Sequence, residues 1–431
     1  MSSEWQEYRL GDVTRWASGG TPSKQNPEYW GGSIPWISAS SMKAKICVNS
    51  DERITEKAVR SGARMCDPGT ILLLVRGSEL HKRIPIGVAT KRVAFNQDVK
   101  AINACSGDLS EDYLYYLLKG SEEFLLNSVE FTGIGAGKLE TPFLQDLVFP
   151  LPTREEQAVI TGFMIALDDK IELNRKTNET LEAMAKALFK SWFVDFDPVK
   201  AKAEGRSTGL PAEISDLFPD SFEDSELGEI PSGWEVKALD EIAQFLNGLA
   251  LQKFPPEDRA ATLPVIKIAQ LKKGDSTGAD RCSTAVPSDY VVRDGDMLFS
   301  WSGSLAVDIW CGGDGALNQH LFKVTSKTYT KWFFCLWVKH HLPVFQEIAQ
   351  GKATTMGHIQ RHHLSEAKVL IPPPSLLAAM DSAFTALLDR AFGLRRQSKD
   401  LVSIRDALLP KLISGEIRIP DAQKMLEEVD I

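Results

Sequence analysis

The chain has 431 residues, of which 43% are hydrophobic and 25% charged, and its net charge is −9. This composition is that of a globular protein of about three domains and excludes collagen-like and disordered chains. The six cysteines form no Cys-x-x-Cys pair, which excludes a disulfide scaffold and fits free thiols in a reducing cytoplasm. We expect neither a membrane-spanning helix nor a secretory signal, because the sequence has no long uncharged apolar run.

The excess negative charge is confined to one part of the chain. Net charges are −1, −8, +1 and −1 for residues 1–150, 151–232, 233–374 and 375–431. Within the first stretch, residues 76–92 hold five basic side chains against one acidic side chain. The charge of the whole chain therefore does not exclude a nucleic-acid partner, since such binding depends on local patches.

An internal duplication organises the sequence. Similar segments recur in the same order in the two halves, namely 5–10 with 234–239, 34–38 with 263–267, 67–78 with 293–304, 96–97 with 318–319, and 149–152 with 371–374. The offset falls from 229 to 222 residues along the chain, so the order is kept with small deletions. Such ordered self-similarity predicts two copies of one structural unit.

Each half is predicted to be an α/β globule followed by one long helix. Short apolar runs at 71–75 and 297–301 follow Pro-Gly and Asp-Gly turns, which is typical of strands. Thr153 and Glu156 have the spacing of a helix capping box, and Ser375 is the matching cap candidate in the second half. The predicted fold class is therefore α/β (α+β), with two similar mixed domains and two long helices.

Both long helices carry apolar residues at alternating spacings of three and four, which predicts a coiled-coil seam. The seam positions are Ile160, Met164, Leu167, Ile171, Leu181, Met184, Leu188 and Trp192 in the first helix, and Leu377, Met380, Phe384, Leu387, Ala391, Leu394, Leu401, Ile404, Leu408 and Leu412 in the second. Polar residues interrupt the seams at Asn174, Asn178 and Ser398. Matching breaks favour pairing of the two helices within the chain, and two separate homo-oligomeric coils are the alternative. Asp168 and Asp169 are interpreted as solvated charges on the helix face.

An acidic segment punctuated by prolines, residues 194–232, is predicted to be an extended linker. Phe196, Leu217, Phe218 and Phe222 would anchor it, since a fully disordered linker would hold fewer aromatic residues. The predicted domains are a first globular domain 1–152, a long helix 153–193, the linker 194–232, a second globular domain 233–374, a second long helix 375–414 and a C-terminal tail 415–431.

Motifs that would carry chemistry are incomplete. The glycine-rich run at 132–138 lacks the first glycine and the final hydroxyl residue of a phosphate-binding loop. His340 with His341, and His358 with His362 and His363, resemble metal-ligand spacings, but polar surface histidines are the simpler interpretation. We therefore predict no catalytic residue and no metal site, and we do not expect an enzyme.

The loops that differ between the two halves are the candidate DNA-binding surfaces. They combine Arg and Lys for phosphate and guanine, Gln and Asn for adenine, and small residues that allow close approach to a groove. The candidate residues are Thr21, Ser23, Lys24, Ser40, Lys43, Arg76, Ser78, Lys82, Arg83, Lys91, Gln97, Lys253, Lys267, Gln270, Lys272, Lys273, Ser302, Ser304, Gln319, Lys352, Thr354 and His358.

The whole chain resembles the specificity (S) subunits of type I restriction–modification systems. The stretches ALFKSWFVDFDP at 187–198, FPDSFEDSELG at 218–228 and IPSGW at 230–234 are similar to the family's central region. SGGTP at 18–22, FNQDV at 95–99 and LNQHL at 317–321 resemble recurring motifs of its target-recognition domains.

The resemblance implies a cytoplasmic, non-catalytic subunit in which each recognition domain reads one half of a bipartite site on double-stranded DNA. Two antiparallel helices would separate the domains and set the spacer between the half-sites. Two modification (methyltransferase) subunits and two restriction subunits would supply adenine methylation and cleavage. S-adenosylmethionine, Mg²⁺ and ATP would be bound by those subunits, and no cofactor by this chain. The alternatives are an enzyme acting on DNA by itself and a coiled-coil scaffold with no role on DNA.

Overall fold

A computed structural model describes residues 5–131, 135–256, 261–351 and 357–427. The chain divides into two compact units. Unit 1 comprises residues 1–171 and 399–431, and unit 2 comprises residues 172–398. In the described ranges, no helix is both long enough and apolar enough to cross a bilayer.

Unit 1 is built from short strands and helices that surround a large apolar core and a smaller apolar cluster around Trp36 and Ile54. Its strands are β1 Gln6–Arg9, β2 Thr14–Ser18, β3 Trp30–Ile37, β4 Arg53–Ile54, β5 Met65–Cys66, β6 Ile71–Leu74, β7 Arg76–Gly77, β8 Ile86–Val88, β9 Val93–Phe95, β10 Val99–Ala104, β11 Glu130–Phe131, β12 Gly137–Lys138 and β13 Val148–Leu151. Its helices are α1 Leu10–Val13, α2 Glu56–Arg60, α3 Glu111–Gly120, α4 Glu122–Asn127 and α5 Thr141–Asp146, and α6 Arg154–Phe193 then runs on into unit 2.

The strands of unit 1 pair in separate small sheets. β1 pairs with β13, the strands β2–β10–β6–β8 pair antiparallel in that order, and β4–β3–β9–β5 form a mixed sheet in which β3 and β9 are parallel. β11–β12–β7 form a further sheet. The predicted strand at 71–75 is confirmed as β6, whose four residues are fully buried between neighbouring strands.

Unit 2 repeats this architecture. Its elements are α7 Asp197–Ala203, α8 Ala212–Ser215, β14 Phe222–Ser225, β15 Gly228–Pro231, β16 Glu235–Ala238, α9 Leu239–Ile242, β17 Gln244–Asn247, β18 Thr262–Ile266, α10 Ile268–Lys273, β19 Arg281–Ser283, β20 Val291–Val292, β21 Met297–Ser300, β22 Val307–Ile309, β23 Gly315–Leu317, β24 Leu321–Thr325, α11 Lys331–Gln350, α12 Arg361–Glu366, β25 Lys368–Ile371 and α13 Pro374–Ser414, which ends in unit 1. α14 Ile419–Glu427 also belongs to unit 1.

The sheets of unit 2 match those of unit 1 strand by strand. β16 pairs with β25 as β1 does with β13, and β17–β24–β21–β22 repeat the order β2–β10–β6–β8. β19–β18–β23–β20 repeat β4–β3–β9–β5, including the parallel pair at the centre. Since every segment matched in the sequence occupies the equivalent element, the duplication and the mixed α/β fold class are confirmed.

α6 and α13 run antiparallel within each unit. In unit 2 the Asn174 amide donates to Gln397 Oε1 at 2.8 Å, and in unit 1 Arg405 pairs with Asp168 at 2.8 Å. Pairing within the chain is therefore confirmed, although Gln397 and not Ser398 faces the buried Asn174. Met184 is a wrong seam prediction, because it is 48% exposed while Ala185 and Phe189 are buried instead.

Asp168 does not lie on a solvated face, which corrects the sequence interpretation. Its carboxylate accepts hydrogen bonds from Lys45 Nζ at 2.7 Å and from the Tyr116 hydroxyl at 2.6 Å, and it pairs with Arg405 at 2.8 Å. Burial acts to raise the pKa of Asp168, but these hydrogen bonds and charges hold it below its usual range. Asp169 is exposed as expected.

The segment 194–232 is folded, so the prediction of an extended linker is wrong. It holds α7, α8 and the β14–β15 hairpin, and Phe218 is buried against Trp192. The aromatic anchors were therefore correctly recognised, but they stabilise local structure. The predicted tail beyond residue 414 likewise contains α14, in which Ala422 is fully buried in the core of unit 1.

The two helix caps differ. Thr153 Oγ1 accepts from the Glu156 backbone N–H, and Glu156 Oε2 accepts from the Thr153 backbone N–H, each at 3.3 Å. The capping box is therefore confirmed. Ser375 is not the cap, because α13 already begins at Pro374. Proline suits this first helical position, where its missing N–H leaves no hydrogen bond unmade.

Candidate nucleic-acid interface

In unit 1, several candidate loops meet where four strands end. We call residues 19–24, 38–43, 76–83 and 96–98 together the first loop edge. The turn at its centre, residues 96–98, follows β9, and its first backbone N–H donates to Ile37 at the end of β3 at 3.0 Å. The carbonyl of Asp98 accepts from the Val75 N–H at 2.8 Å, which places Arg76 beside the same turn.

Asn96 shapes this turn and Gln97 is displayed by it. The buried Asn96 Oδ1 accepts from the backbone N–H groups of Asp98 and Val99, each at 3.1 Å. An Asx turn of this kind positions the next side chain towards solvent, and Gln97 is exposed. Gly19 packs so closely that an added Cβ would lie 2.1 Å from the Asn96 carbonyl oxygen, which explains the glycine there.

The first loop edge carries exposed cations without acidic partners. Lys43, Arg76 and Lys82 are exposed and make no ion pair among the described residues. Arg83 instead holds two loops together, since it donates to the Met42 carbonyl at 2.9 Å and pairs with Glu79. An exposed positive surface of this type suits contacts to a phosphate backbone.

The remaining candidates of unit 1 occupy different places. Within the first loop edge, Ser40 and Ser78 are exposed, and the exposed Ser23 and Lys24 lie beside Trp30 at the start of β3. Lys24 also faces Glu52 at 3.6 Å. Lys91 precedes β9 and thus lies at the opposite end of that strand from Gln97, so the structure does not bring it to the first loop edge.

Unit 2 presents an equivalent surface, which we call the second loop edge: residues 247–253, 267–273, 300–304 and 318–320. The Asn318 N–H donates to Ile266 at the end of β18 at 3.2 Å, and Asn318 Oδ1 accepts from the His320 N–H at 3.3 Å. A Cβ on Gly248 would lie 2.2 Å from the Asn318 carbonyl oxygen, just as at Gly19. The two edges are therefore built in the same way from the same turn.

Aromatic and polar side chains form a fixed network on the second loop edge. Trp301 Nε1 donates to Asn247 Oδ1 at 2.8 Å, and the Trp301 and His320 ring centroids are 5.9 Å apart. His320 Nδ1 lies 2.9 Å from Ser302 Oγ, and its Nε2 lies 3.3 Å from Gln319 Nε2. Gln319 is thus held through Nε2, and its Oε1 and second N–H group are available to a ligand.

The cations of the second loop edge are more neutralised than those of the first. Lys267 pairs with Asp280, and Lys273 pairs with Asp275 at 3.1 Å. Lys272 donates to the exposed Ser304, and Lys253 is exposed with no ion pair among the residues described. Phosphate contacts on this side would therefore have to displace acidic partners.

Some candidates serve the structure instead of presenting a surface. Gln270 is 8% exposed and accepts the Lys267 N–H at 3.3 Å as a cap of α10, and Ser302 is 3% exposed. His358 is half-buried beside Trp301, with ring centroids 6.4 Å apart. Lys352 and Thr354 lie outside the described residues.

The histidines that resemble metal ligands have ordinary structural contacts. His341 is half-buried, so it is not the surface histidine expected; burial lowers its pKa to about 4, and its Nε2 lies 2.9 Å from the Lys368 carbonyl oxygen. His362, His363 and Glu366 lie close together, but His363 caps α12 by accepting the Gln360 N–H at 2.9 Å. Of the glycine-rich run, residues 132–134 are outside the described part, and Gly137 and Lys138 form β12 beside Arg76.

Sequence reasoning missed the residues that support the displayed side chains. Asn96, Asn318, Asn247, Trp301 and His320 all lie within or next to loops singled out from the sequence. The repeated Asn-Gln pair was the available signal, because in both units a buried Asn precedes the Gln, which is exposed at Gln97 and half-buried at Gln319.

Comparisons with known proteins agree with this architecture. The family model described as type I restriction modification DNA specificity domain matches residues 2–183 and 231–376, one match in each half. The MjaIX specificity subunit of Methanocaldococcus jannaschii is 30% identical, with 98% of this chain and 95% of the relative covered. The HindI specificity subunit of Haemophilus influenzae is 24% identical, with 96% and 100% covered.

A solved structure supports the same fold. The crystal structure of the S subunit of a type I restriction–modification system from M. genitalium has a TM-score of 0.56 at 16% identity and covers 96% of each chain. Together with the repeated strand order and the two equivalent loop edges, the family matches establish that this chain belongs to the type I restriction–modification specificity subunit family.

Proposed function

We propose that this chain is the DNA sequence-recognition subunit of a type I restriction–modification complex. Each unit would read one half of a bipartite site on double-stranded DNA through its loop edge. The observation that carries this proposal is the repetition of one construction, a buried Asn that displays a Gln beside polar and basic loops, in both units. Glutamine and arginine are side chains that discriminate bases in the major groove.

Catalysis would belong to partner subunits. Two modification subunits would bring S-adenosylmethionine, and two restriction subunits would bring ATP and Mg²⁺, in a complex that acts in the cytoplasm. The modest positive charge of the loop edges supports this division, because partner subunits could supply the phosphate contacts that tighten binding to the duplex. The helices α6 and α13, continuous over 40 and 41 residues, would set the distance between the half-sites.

Mapping of modified bases tests this function. The chain is expressed with its cognate modification subunits in a host lacking other methylation, and methylated motifs are read by sequencing. We expect one motif made of two half-sites. Exchange of residues 1–152 for those of another family member should change one half-site and leave the other intact. Methyl transfer or nicking by the purified chain alone would contradict the proposal, as would a motif whose two halves both survive the exchange.

Loss of the Arg76 side chain should weaken recognition of one half-site. Arg76→Ala removes an exposed cation from the first loop edge, and Lys273→Ala does so from the second. If each contacts a base edge, we expect a loss of about 1–3 kcal/mol in binding of the matching DNA. Affinity of the complex is measured at several salt concentrations.

Lys91→Ala is the matched control for this prediction. Lys91 is also exposed and basic, but it lies at the opposite end of β9 from Gln97. Its loss should leave base preference unchanged. Equal effects of Lys91→Ala and Arg76→Ala would show that the first loop edge is not the reading surface.

A further inference from the structure

The two displayed glutamines are held in opposite orientations. Gln97 and Gln319 occupy equivalent positions after the buried asparagines of the two turns. A glutamine amide has a different hydrogen-bonding group at each end, an oxygen that accepts and a nitrogen that donates two protons. The end that is held by the protein therefore decides which groups remain for a ligand. The inference that follows rests on the proposed function.

Gln97 is held by its oxygen. The Thr21 hydroxyl donates to Gln97 Oε1, and both residues are exposed. Both N–H groups of Gln97 Nε2 are left to point away from that contact, and no hydrogen bond to Nε2 is present among the described residues. The first loop edge thus presents a donor at this position.

Gln319 is held by its nitrogen. Gln319 Nε2 and His320 Nε2 are 3.3 Å apart, and an amide nitrogen can only donate, so the imidazole nitrogen accepts. The proton of the neutral ring is then on Nδ1, where it is donated to Ser302 Oγ at 2.9 Å. Gln319 Oε1 and one N–H remain available, which is an acceptor next to a donor.

His320 is itself held in place. Its ring packs against Trp301, and the Trp301 indole is fixed by its hydrogen bond to Asn247 Oδ1 at 2.8 Å. Ser302 is buried, so the acceptor for His320 Nδ1 cannot easily move. A side chain that is preorganised in this way discriminates more sharply, because the wrong partner leaves a polar group unpaired.

We propose that the two units use the same turn to read base edges that differ in their pattern of hydrogen-bond donors and acceptors. Gln97, oriented by Thr21, presents donors and selects a base edge that carries acceptors, as guanine does with N7 and O6 in the major groove. Gln319, oriented by His320 and Ser302, presents an acceptor beside a donor and selects adenine, whose N6 amine donates and whose N7 accepts. Thr21 and His320 are positioning residues in this scheme.

Selection of bound DNA from a random library by the assembled complex tests the proposal. The wild-type complex gives the base preferences at every position of both half-sites. Thr21→Val has nearly the shape of threonine but cannot donate, so Gln97 becomes free to rotate. We expect the preference at one position of the first half-site to fall by about tenfold, while Thr21→Ser, which keeps the hydroxyl, retains it.

His320→Phe applies the same test to the second half-site. Phenylalanine keeps a ring beside Trp301 but offers no acceptor to Gln319, and it should relax the preference for adenine at one position by about tenfold. The unaffected half-site in each variant reports that the complex is folded and bound.

Three outcomes would overturn the proposal. The first is a Thr21→Val complex with the same base preferences as wild type, and the second is a Thr21→Ser complex whose base preference is as relaxed as that of Thr21→Val. The third is an effect of His320→Phe at a position where the wild-type complex does not prefer adenine. Failure of the proposed function is distinguishable, because the wild-type complex would then enrich no bipartite sequence at all.

Discussion

Asp168→Ala should lower the free energy of unfolding of unit 1 by about 3 kcal/mol, because it removes the common partner of Lys45, Tyr116 and Arg405. The Asp168 side chain is 15% exposed, so water replaces little of what is lost. Truncation leaves two cations and a hydroxyl facing one another where a carboxylate stood. Chemical denaturation of the purified chain, followed by a signal from unit 1, measures the change.

Asp169→Ala is the control, since Asp169 is the exposed neighbour on the same helix. It should change stability by no more than about 0.5 kcal/mol. The effect of Asp168 also depends on pH. Its pKa is lowered in the folded protein, so its contribution is complete above the unfolded value near 4 and is lost as pH falls through the folded value. Equal denaturation midpoints for both variants at pH 7 would refute the role assigned to Asp168.

Lengthening both long helices by one heptad should lengthen the spacer of the modified motif. Seven residues are inserted after Asn178 in α6 and seven before Leu394 in α13, both on the same side of the Asn174–Gln397 pair, so that the seam keeps its register. A heptad adds about 10 Å of helix, which corresponds to about three base pairs at 3.4 Å each. Sequencing of modified bases gives the spacer directly.

The half-sites themselves should be unchanged by this insertion, which makes them the internal control. A seven-residue insertion in α6 alone is the second control, because it mismatches the two helices and should abolish modification. A complex with both insertions that still modifies the original spacing would exclude the helices as the element that sets it.

The fold was largely predictable from the sequence because its strongest signals are repeated. Apolar runs such as 71–75 and 297–301 gave strands that the structure confirms, and ordered matches between the halves gave the duplicated domains. The seam of the long helices was also predictable, except where a small residue, Ala185, replaces Met184 at the contact. The spacing of apolar residues predicts a helix with an apolar face, but it does not show which of two adjacent positions packs against the partner helix.

Long-range partners could not be predicted. Asp168 had the appearance of a surface carboxylate because Lys45 and Arg405 are more than a hundred residues away in each direction. The segment 194–232 had the composition of a linker, yet its aromatic residues bury enough surface to fold it. In the loop edges, polar and basic side chains were identified as candidates from their chemistry alone. Gln270 and Ser302 were wrongly included because they are buried, and burial depends on neighbours elsewhere in the chain.

The composition of unit 1 from two distant stretches of chain has a consequence for biosynthesis. Leu401, Leu408 and Leu412 complete the core that residues from the first 171 positions begin, whereas unit 2 is one continuous stretch. During translation, unit 2 can therefore finish folding before unit 1. Unit 1 keeps an uncovered apolar helix face until residues 399–431 have been synthesised. This waiting interval is when the nascent chain is most open to chaperones and to aggregation.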